Sequence, residues 1–566
     1  MSQMSKDIKK YIFIVGGVMS GVGKGVAAAS IGRILQSRGF EVTALKIDPY
    51  VNVDAGTMNP TEHGEVFILN DGTECDQDMG NYERFLDRDL TGENYMTTGS
   101  IYLSVINKER NLEYGGKCVE VVPHIPLEVI NRIDKALIKN KAEVAITEIG
   151  GTVGEYQNVL FLEAIRMLKL KKPGDVLLVL VSHLPSLNDG SELKTKPTQY
   201  AVRTLNSTGL QPDIIIARAA VPLDKKRKNK IAFNCNIREQ DVISAPDVNN
   251  IYEVPVNFEK DNLSQNILEK LNLKPRTSDL KKWKQFANLV NTTKKTVKIG
   301  IVGKYFGTGN FILTDSYISV IEAIKHAAYF YKVKPIIEWI DAEEFEKNPP
   351  LAGRSLPSAR RSLRKLKELS KYQGIIIPGG FGSRGVEGKI AVIKYLRLNK
   401  IPFLGLCYGM QLSVIEYSRS VVGLKNAHTT EVNPETPHPV IDILPEQKKH
   451  LADKNYGATM RLGAYPAAIK KKTIVYNAYK ESLISERHRH RYEVNPEYIE
   501  KIEKKGLVFS GFSPNRRLME IIELPKEKHP FFVASQFHPE LKSRPFKPHP
   551  LFREFVRAAI NKKNNL

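Results

Sequence analysis

Gly16-Gly17-Val18-Met19-Ser20-Gly21-Val22-Gly23-Lys24-Gly25 follows the apolar run Tyr11 to Val15 and precedes a helical stretch reaching about Arg38. Strand, glycine-rich turn, helix is the order that decides the fold. Glycines let backbone N–H groups turn towards a phosphate without Cβ clashes. The helix N-terminus adds a favourable dipole, and Lys24 supplies a positive charge for outer phosphates. The pattern is not a regular Walker A: its spacing is off by one, and Gly25 stands where Ser or Thr would bind magnesium. A cation there needs hard carboxylate donors from elsewhere. The candidates are Asp76, in Glu74-Cys75-Asp76-Gln77-Asp78, and Glu148, at the end of the run Val144 to Ile149.

Outward from this loop, Val42 to Ile47, Val144 to Ile149, Val176 to Ser182 and Ile214 to Ala217 are near-continuous apolar runs. Such runs suit a parallel sheet covered on both faces. The pattern fades near Lys274 and restarts at Val297 to Val302, with helical periodicity from Ser316 to Tyr329. Further strands are expected at Gly374 to Ile377, Phe403 to Leu406 and Phe531 to Ser535. The expectation is two doubly wound α/β domains, 1–274 and 296–566, joined by a linker at 275–295. Asn348 to Lys371 is taken as a surface insertion.

The 566 residues are too many for one core. No apolar stretch reaches the ~18 residues of a membrane helix, and the short run after Lys9 and Lys10 ends in glycines, unlike a signal peptide. These point to a cytoplasmic protein. Cys75, Cys118, Cys235 and Cys407 are scattered, which argues against disulfides and a zinc site. The net charge is +22. Its clusters, Lys225 to Lys230 and Arg354 to Lys371, are not interleaved with aromatics as in single-strand binders, so neither nucleic acid nor membrane is taken as a partner.

Five motifs in order carry a resemblance: Gly16 to Gly25, Lys46-Ile47-Asp48-Pro49-Tyr50, His63-Gly64-Glu65-Val66-Phe67, Glu148-Ile149-Gly150-Gly151-Thr152-Val153-Gly154 and Lys194-Thr195-Lys196-Pro197-Thr198-Gln199. The chain resembles the CTP synthase family. That resemblance implies an amidoligase domain that aminates UTP to CTP with ATP. It places ATP on Gly21, Val22, Gly23, Lys24, Gly25 and Val26, and magnesium on Asp76 and Glu148. It places UTP on Ser20, Lys194, Thr195, Lys196, Pro197, Thr198, Gln199 and Lys230. Lys24 and Lys46 would face the transferring phosphoryl group, and Pro246, Asp247 and Val248 the adenine. The family's Gly-Asp-Ile-Glu, which helps hold the product, is here Gly154-Glu155-Tyr156-Gln157. An amide at Gln157 donates as well as accepts, so altered product feedback is expected.

In the second half, Phe403-Leu404-Gly405-Leu406-Cys407-Tyr408-Gly409-Met410-Gln411 has the form of a nucleophile elbow. Helix N-termini favour the thiolate, the nucleophilic form. Far downstream, Gln536-Phe537-His538-Pro539-Glu540 offers His538 to deprotonate Cys407 and Glu540 to orient the imidazole. Pro378-Gly379-Gly380-Phe381-Gly382 offers backbone N–H groups to an oxyanion. Together these resemble the triad-type, class I glutamine amidotransferases, which implies glutamine held by Gly380, Tyr408, Gly409, Met410, Gln411, Glu431 and Arg491. Arg384-Gly385-Val386-Glu387-Gly388 resembles the family's lid, associated with GTP activation. The run Arg487-His488-Arg489-His490-Arg491 is taken as an anion-binding or solvated strand. A tunnel for ammonia near His63 and Val66, a homotetramer and filament assembly complete what the resemblance implies. An amidotransferase acting on another acid, or a P-loop scaffold with a dead amidase, stays as an alternative.

Overall fold

The computed structural model describes residues 8–187, 192–304, 307–308, 311–312, 314–346, 359–444, 447 and 457–564. The chain packs into two compact units. One holds the residues up to Ala55 together with Asp78–Thr292; the other holds Gly56–Gln77 and the residues from Thr293 onward.

In the first unit seven parallel strands form one sheet. They are β1 (Lys10–Gly17), β2 (Val42–Asp48), β3 (Tyr95–Thr97), β4 (Val144–Ile149), β5 (Val176–His183), β6 (Ile214–Ala219) and β7 (Val242–Pro246), in the order β7-β6-β5-β1-β4-β2-β3. Every residue from Tyr11 to Val15 is buried, which is why the run is apolar without alternation. The chain runs from β1 to one side and, after β4, crosses to β5 on the other. The switch lies beside β1, so the loop after β1 opens into the crevice where doubly wound sheets take ligands.

The expected linker is partly a helix of this unit. Helix α5 (Lys281–Thr292) buries Trp283, whose ring lies 4.9 Å from that of Phe85 and whose Nε1 donates to the Tyr252 carbonyl at 2.8 Å. Leu280, Trp283, Phe286 and Ala287 make the apolar stripe that holds it. The other helices used below are α1 (Lys24–Ser37), α2 (Asp78–Leu86), α3 (Lys196–Ser207) and α4 (Lys225–Cys235).

The second unit has nine strands in one sheet: β8 (Thr296–Gly303), β9 (Lys334–Asp341), β10 (Gly374–Ile377), β11 (Phe403–Leu406), β12 (Arg461–Ile469), β13 (Leu483–His490), β14 (Val508–Phe512), β15 (Met519–Glu523) and β16 (Phe532–Ser535). The order is β9-β8-β10-β11-β16-β15-β14-β12-β13. The first five are parallel and the last four run on antiparallel. Only the parallel part stands out in the sequence, because β12 to β15 mix polar with apolar residues. Helices α6 (Ile318–Phe330), α7 (Val386–Leu398) and α8 (Tyr408–Tyr417) belong here.

Residues 56–77 pack onto β13. Arg487 Nε donates to Asn70 Oδ1 at 2.7 Å and Arg489 Nε to Glu74 Oε1 at 2.8 Å. Arg487 and His488 are fully buried and His490 nearly so, so the expected solvated strand is an interior one. Of the expected insertion, 348–358 lies outside the described residues, and Ala359–Glu368 is a helix.

Candidate active sites

Two glycines set the first site. Gly23 adopts φ 88°, ψ 33°, the left-handed region, and launches α1. A Cβ on Gly25 would fall 2.0 Å from Asp78 Oδ1. The Asp78 carboxylate therefore fills the space where a Walker A loop carries its hydroxyl. Lys46 Nζ bonds Glu148 Oε1 at 3.0 Å and also Asp78 Oδ2. The Tyr82 hydroxyl donates to Glu148 Oε2. Lys24 Nζ donates to the Gly151 carbonyl at 2.8 Å.

Charge is balanced inside this cluster. Burial, then the Asp78 charge, pushes the Glu148 carboxyl up. Burial would raise Asp78 as well, but Lys46 outweighs it and the net direction is down. Burial lowers Lys24, with Lys46 adding to the effect. Among the described residues no group of three or more His, Cys, Asp or Glu could hold a metal ion. Two carboxylates still fit Mg²⁺, which keeps several waters and takes one or two carboxylates beside substrate phosphates. The carboxylate at the loop is Asp78. Asp78 shares Lys46 with Glu148; Asp76, the sequence candidate, is grouped with the other compact unit.

The remaining expected nucleotide residues surround the same strand ends. Gly17 abuts α3 so closely that a Cβ would sit 2.7 Å from Ala201 Cβ. Thr195 precedes α3, and Lys196 and Pro197 form its first turn. Gln199 Nε2 donates to Thr195 Oγ1 at 3.1 Å, and Thr198 Oγ1 meets Ser182 Oγ at 2.8 Å. Lys194 pairs with Glu192 at 2.7 Å, and Lys230, exposed on α4, lies within the field of the same carboxylate. Ser20 and Gly21 are exposed, Val22 is buried and Val26 half-buried.

Glu155 is turned inward: it accepts from Thr152 N at 2.9 Å and from Gln157 Nε2 at 3.2 Å, leaving Tyr156 93% exposed. Sequence reasoning missed Arg218. Its guanidinium donates to the Val22 carbonyl at 3.2 Å and pairs with Asp247 at 2.6 Å, tying the loop to the segment Pro246, Asp247, Val248. A single arginine at a strand end carries no motif, so nothing in the sequence marks it.

The second site is built on the turn from β11 to α8. Cys407 has φ 48° and ψ −99°, a strained backbone for a residue with a side chain. Its flanks must be small: a Cβ on Gly405 would lie 2.8 Å from Ala534 Cβ, and one on Gly409 would lie 2.3 Å from the Ile377 carbonyl oxygen. Strand β16 runs beside β11 and ends just before Gln536-Phe537-His538. His538 Nδ1 bonds Glu540 Oε1 at 2.7 Å, and the ring shares the surroundings of Gly379 with Cys407, whose thiol donates to the Arg489 carbonyl at 3.8 Å. Burial alone would lower His538, but Glu540 and Cys407 hold it well above the ordinary imidazole range. Strand β10, on the other side of β11, ends at Pro378-Gly379-Gly380. A Cβ on Gly379 would be 2.9 Å from His538 Cε1 and 3.8 Å from Cys407 Cβ, so this loop sits against the Cys–His pair.

Around it, Glu431 Oε1 accepts from Gly382 N at 2.7 Å, and burial raises its carboxyl. Tyr408 OH donates to the Gly382 carbonyl at 3.0 Å. Met410 is buried on α8, and Arg491 Nη1 donates to Gln447 Oε1 at 2.5 Å. In the lid-like segment, Glu387 pairs with Arg419 at 2.8 Å.

The CTP synthase N-terminus family matches residues 10–273, and the class-I glutamine amidotransferase family matches residues 312–558. A CTP synthase of Caldanaerobacter subterraneus is 48% identical over 558 residues, 98% of this chain and 99% of that protein. One from Pyrococcus furiosus is 50% identical over 97% of this chain and 98% of its own length. Among solved structures, the glutaminase domain of Trypanosoma brucei CTPS with bound acivicin is 38% identical. It covers 47% of this chain and 94% of its own, with a TM-score of 0.40. With a nucleotide loop on one unit, a Cys–His–Glu set on the other and this likeness along almost the whole length, the chain belongs to the CTP synthase family.

Proposed function

We propose that the two sites divide one reaction, the conversion of UTP to CTP with ATP as energy source and glutamine as nitrogen donor. On the second unit, Cys407 attacks the side-chain amide of glutamine while His538 carries the proton, steadied by Glu540. The backbone N–H groups of Gly380 and Tyr408 receive the oxyanion in this reading. Gly409, Met410, Gln411, Glu431 and Arg491 hold the amino acid, ammonia leaves, and water then cleaves the thioester.

On the first unit, phosphorylation of the uracil 4-oxygen makes it a leaving group that ammonia displaces as phosphate. Lys24 and Lys46 steady the transferring phosphoryl oxygens, with the triphosphates on the loop Gly21 to Val26 and on Lys194 to Gln199 and Lys230. Such transfer is mainly positioning and charge neutralisation. Asp78 and Glu148 would hold magnesium, which supplies further neutralisation of phosphate charge when bound. GTP as activator at the lid, a homotetramer, a cytoplasmic location and an ammonia path past His63 and Val66 are extensions that the resemblance supports.

The observation that carries the reading is that one chain holds both the Cys407–His538–Glu540 set and the lysine–carboxylate cluster behind a phosphate loop. The test is nucleotide analysis after incubation with UTP, ATP, magnesium and glutamine. CTP with matching glutamate and ADP is expected, and ATP hydrolysis that ignores UTP would refute the assignment.

A further inference from the structure

Gln536 opens the segment that carries His538, and the mechanism above leaves it without a part. Its side chain is fully buried. Nε2 lies 3.6 Å from Cys407 Sγ, within hydrogen-bond reach of sulfur, and Oε1 accepts from Gln411 Nε2 at 3.3 Å. Gln411 in turn donates from the same nitrogen to the Tyr492 carbonyl at 2.9 Å. A backbone carbonyl can only accept, so the Gln411 amide has one possible orientation. That orientation presents a donor to Gln536, which must answer with its oxygen and therefore aims its N–H at the sulfur. The register is held by the main chain, where Gln536 N donates to the Glu520 carbonyl at 2.8 Å.

We infer that Gln536 is a positioning residue for Cys407, its amide N–H stabilising the thiolate and fixing the direction of the sulfur lone pairs. A donor to an ionised acceptor in a dry site is worth more than a neutral bond. The titratable groups near the thiol are His538, with Glu540 behind it, and His488 and His490 on β13, both lowered by burial and then by Arg461. The latter two are neutral and do not compete for the role. The inference rests on Cys407 being the nucleophile of the proposed function.

The test uses the full chain and the rate of Cys407 alkylation by iodoacetamide across pH, located by mass spectrometry. Gln536→Met keeps the volume and removes the donor; Gln536→Glu keeps the shape and sets an acceptor against the sulfur. The midpoint of the alkylation profile should move up by about one pH unit in the first, and further in the second. Glutamine-driven CTP formation at neutral pH should fall about tenfold in the Met variant and recover as pH rises. Ammonia-driven CTP formation reports that each variant is folded, and if one is not, the other decides. An unmoved midpoint, or a loss equal at every pH, overturns the inference. Wild-type alkylation at Cys407 that left glutamine-driven synthesis intact would instead refute the proposed function.

Discussion

A single glycine shows how the nucleotide site departs from its nearest pattern. At Gly25 a Walker A loop would carry Ser or Thr, and the sequence alone says only that the hydroxyl is missing. The fold supplies the answer from α2: Asp78 Oδ1 reaches to 2.0 Å from where that Cβ would be. Asp76 and Asp78 are two residues apart with similar neighbours, so no periodicity separates them; the contacts of Asp78 with the Gly25 position and Lys46 single it out. Exchange of Asp78 for Asn should therefore cut both glutamine-driven and ammonia-driven CTP formation by at least about 100-fold, the scale on which an electrostatic partner in such sites acts. Asp76→Asn should leave ammonia-driven turnover within about threefold. Steady-state rates with ammonium chloride distinguish them, and the reverse ranking would reinstate Asp76. Cys407, His538 and Glu540 were legible because small residues and a short His-x-Glu spacing are demanded by local geometry. Gln536 and Arg218 were not, since their roles come from neighbours distant in sequence.

At the scale of elements, α7 carries a cost. Lys389 lies in its first two turns and is fully buried, with no hydrogen-bond partner for Nζ. Burial, then Lys304 and Arg384, push its ammonium down to about 7. Between the ordinary value of 10.5 and about 7 the unfolded chain holds a proton that the folded chain releases. Stability therefore falls as pH drops through that window and levels off below it. Lys389→Met, close in volume, removes the cost. Calorimetry should show the transition of this unit rising by roughly 3–6 °C at pH 7. The gain should fade as pH approaches 10.5, and a gain independent of pH would point to packing instead. The sequence conceals the cost, because one lysine among Ile390, Val392 and Ile393 looks like any surface position.

For the whole molecule, chemistry is split between units that share one chain. Cys407→Ala should abolish glutamine-driven CTP formation, at least about 1,000-fold, and keep ammonia-driven formation near wild type. Lys24→Ala serves as the opposite control and should block both routes. Loss of both in the Cys407 variant, with the protein folded, would deny that the sites are separable.

By itself the amino-acid sequence determined the two parallel cores, the phosphate loop and the cysteine elbow. Each rests on local rules: continuous apolar runs for strands buried on both faces, glycines where no side chain fits, and fixed short spacings. Only the tertiary structure decided that residues 56–77 fold with the second unit, that 281–292 is a packed helix, that β12 to β15 extend the sheet antiparallel, and that Asp78 stands at the loop. Those features depend on contacts between residues far apart in the chain, Arg487 with Asn70 or Trp283 with Phe85, and such pairings leave no periodic trace in either partner.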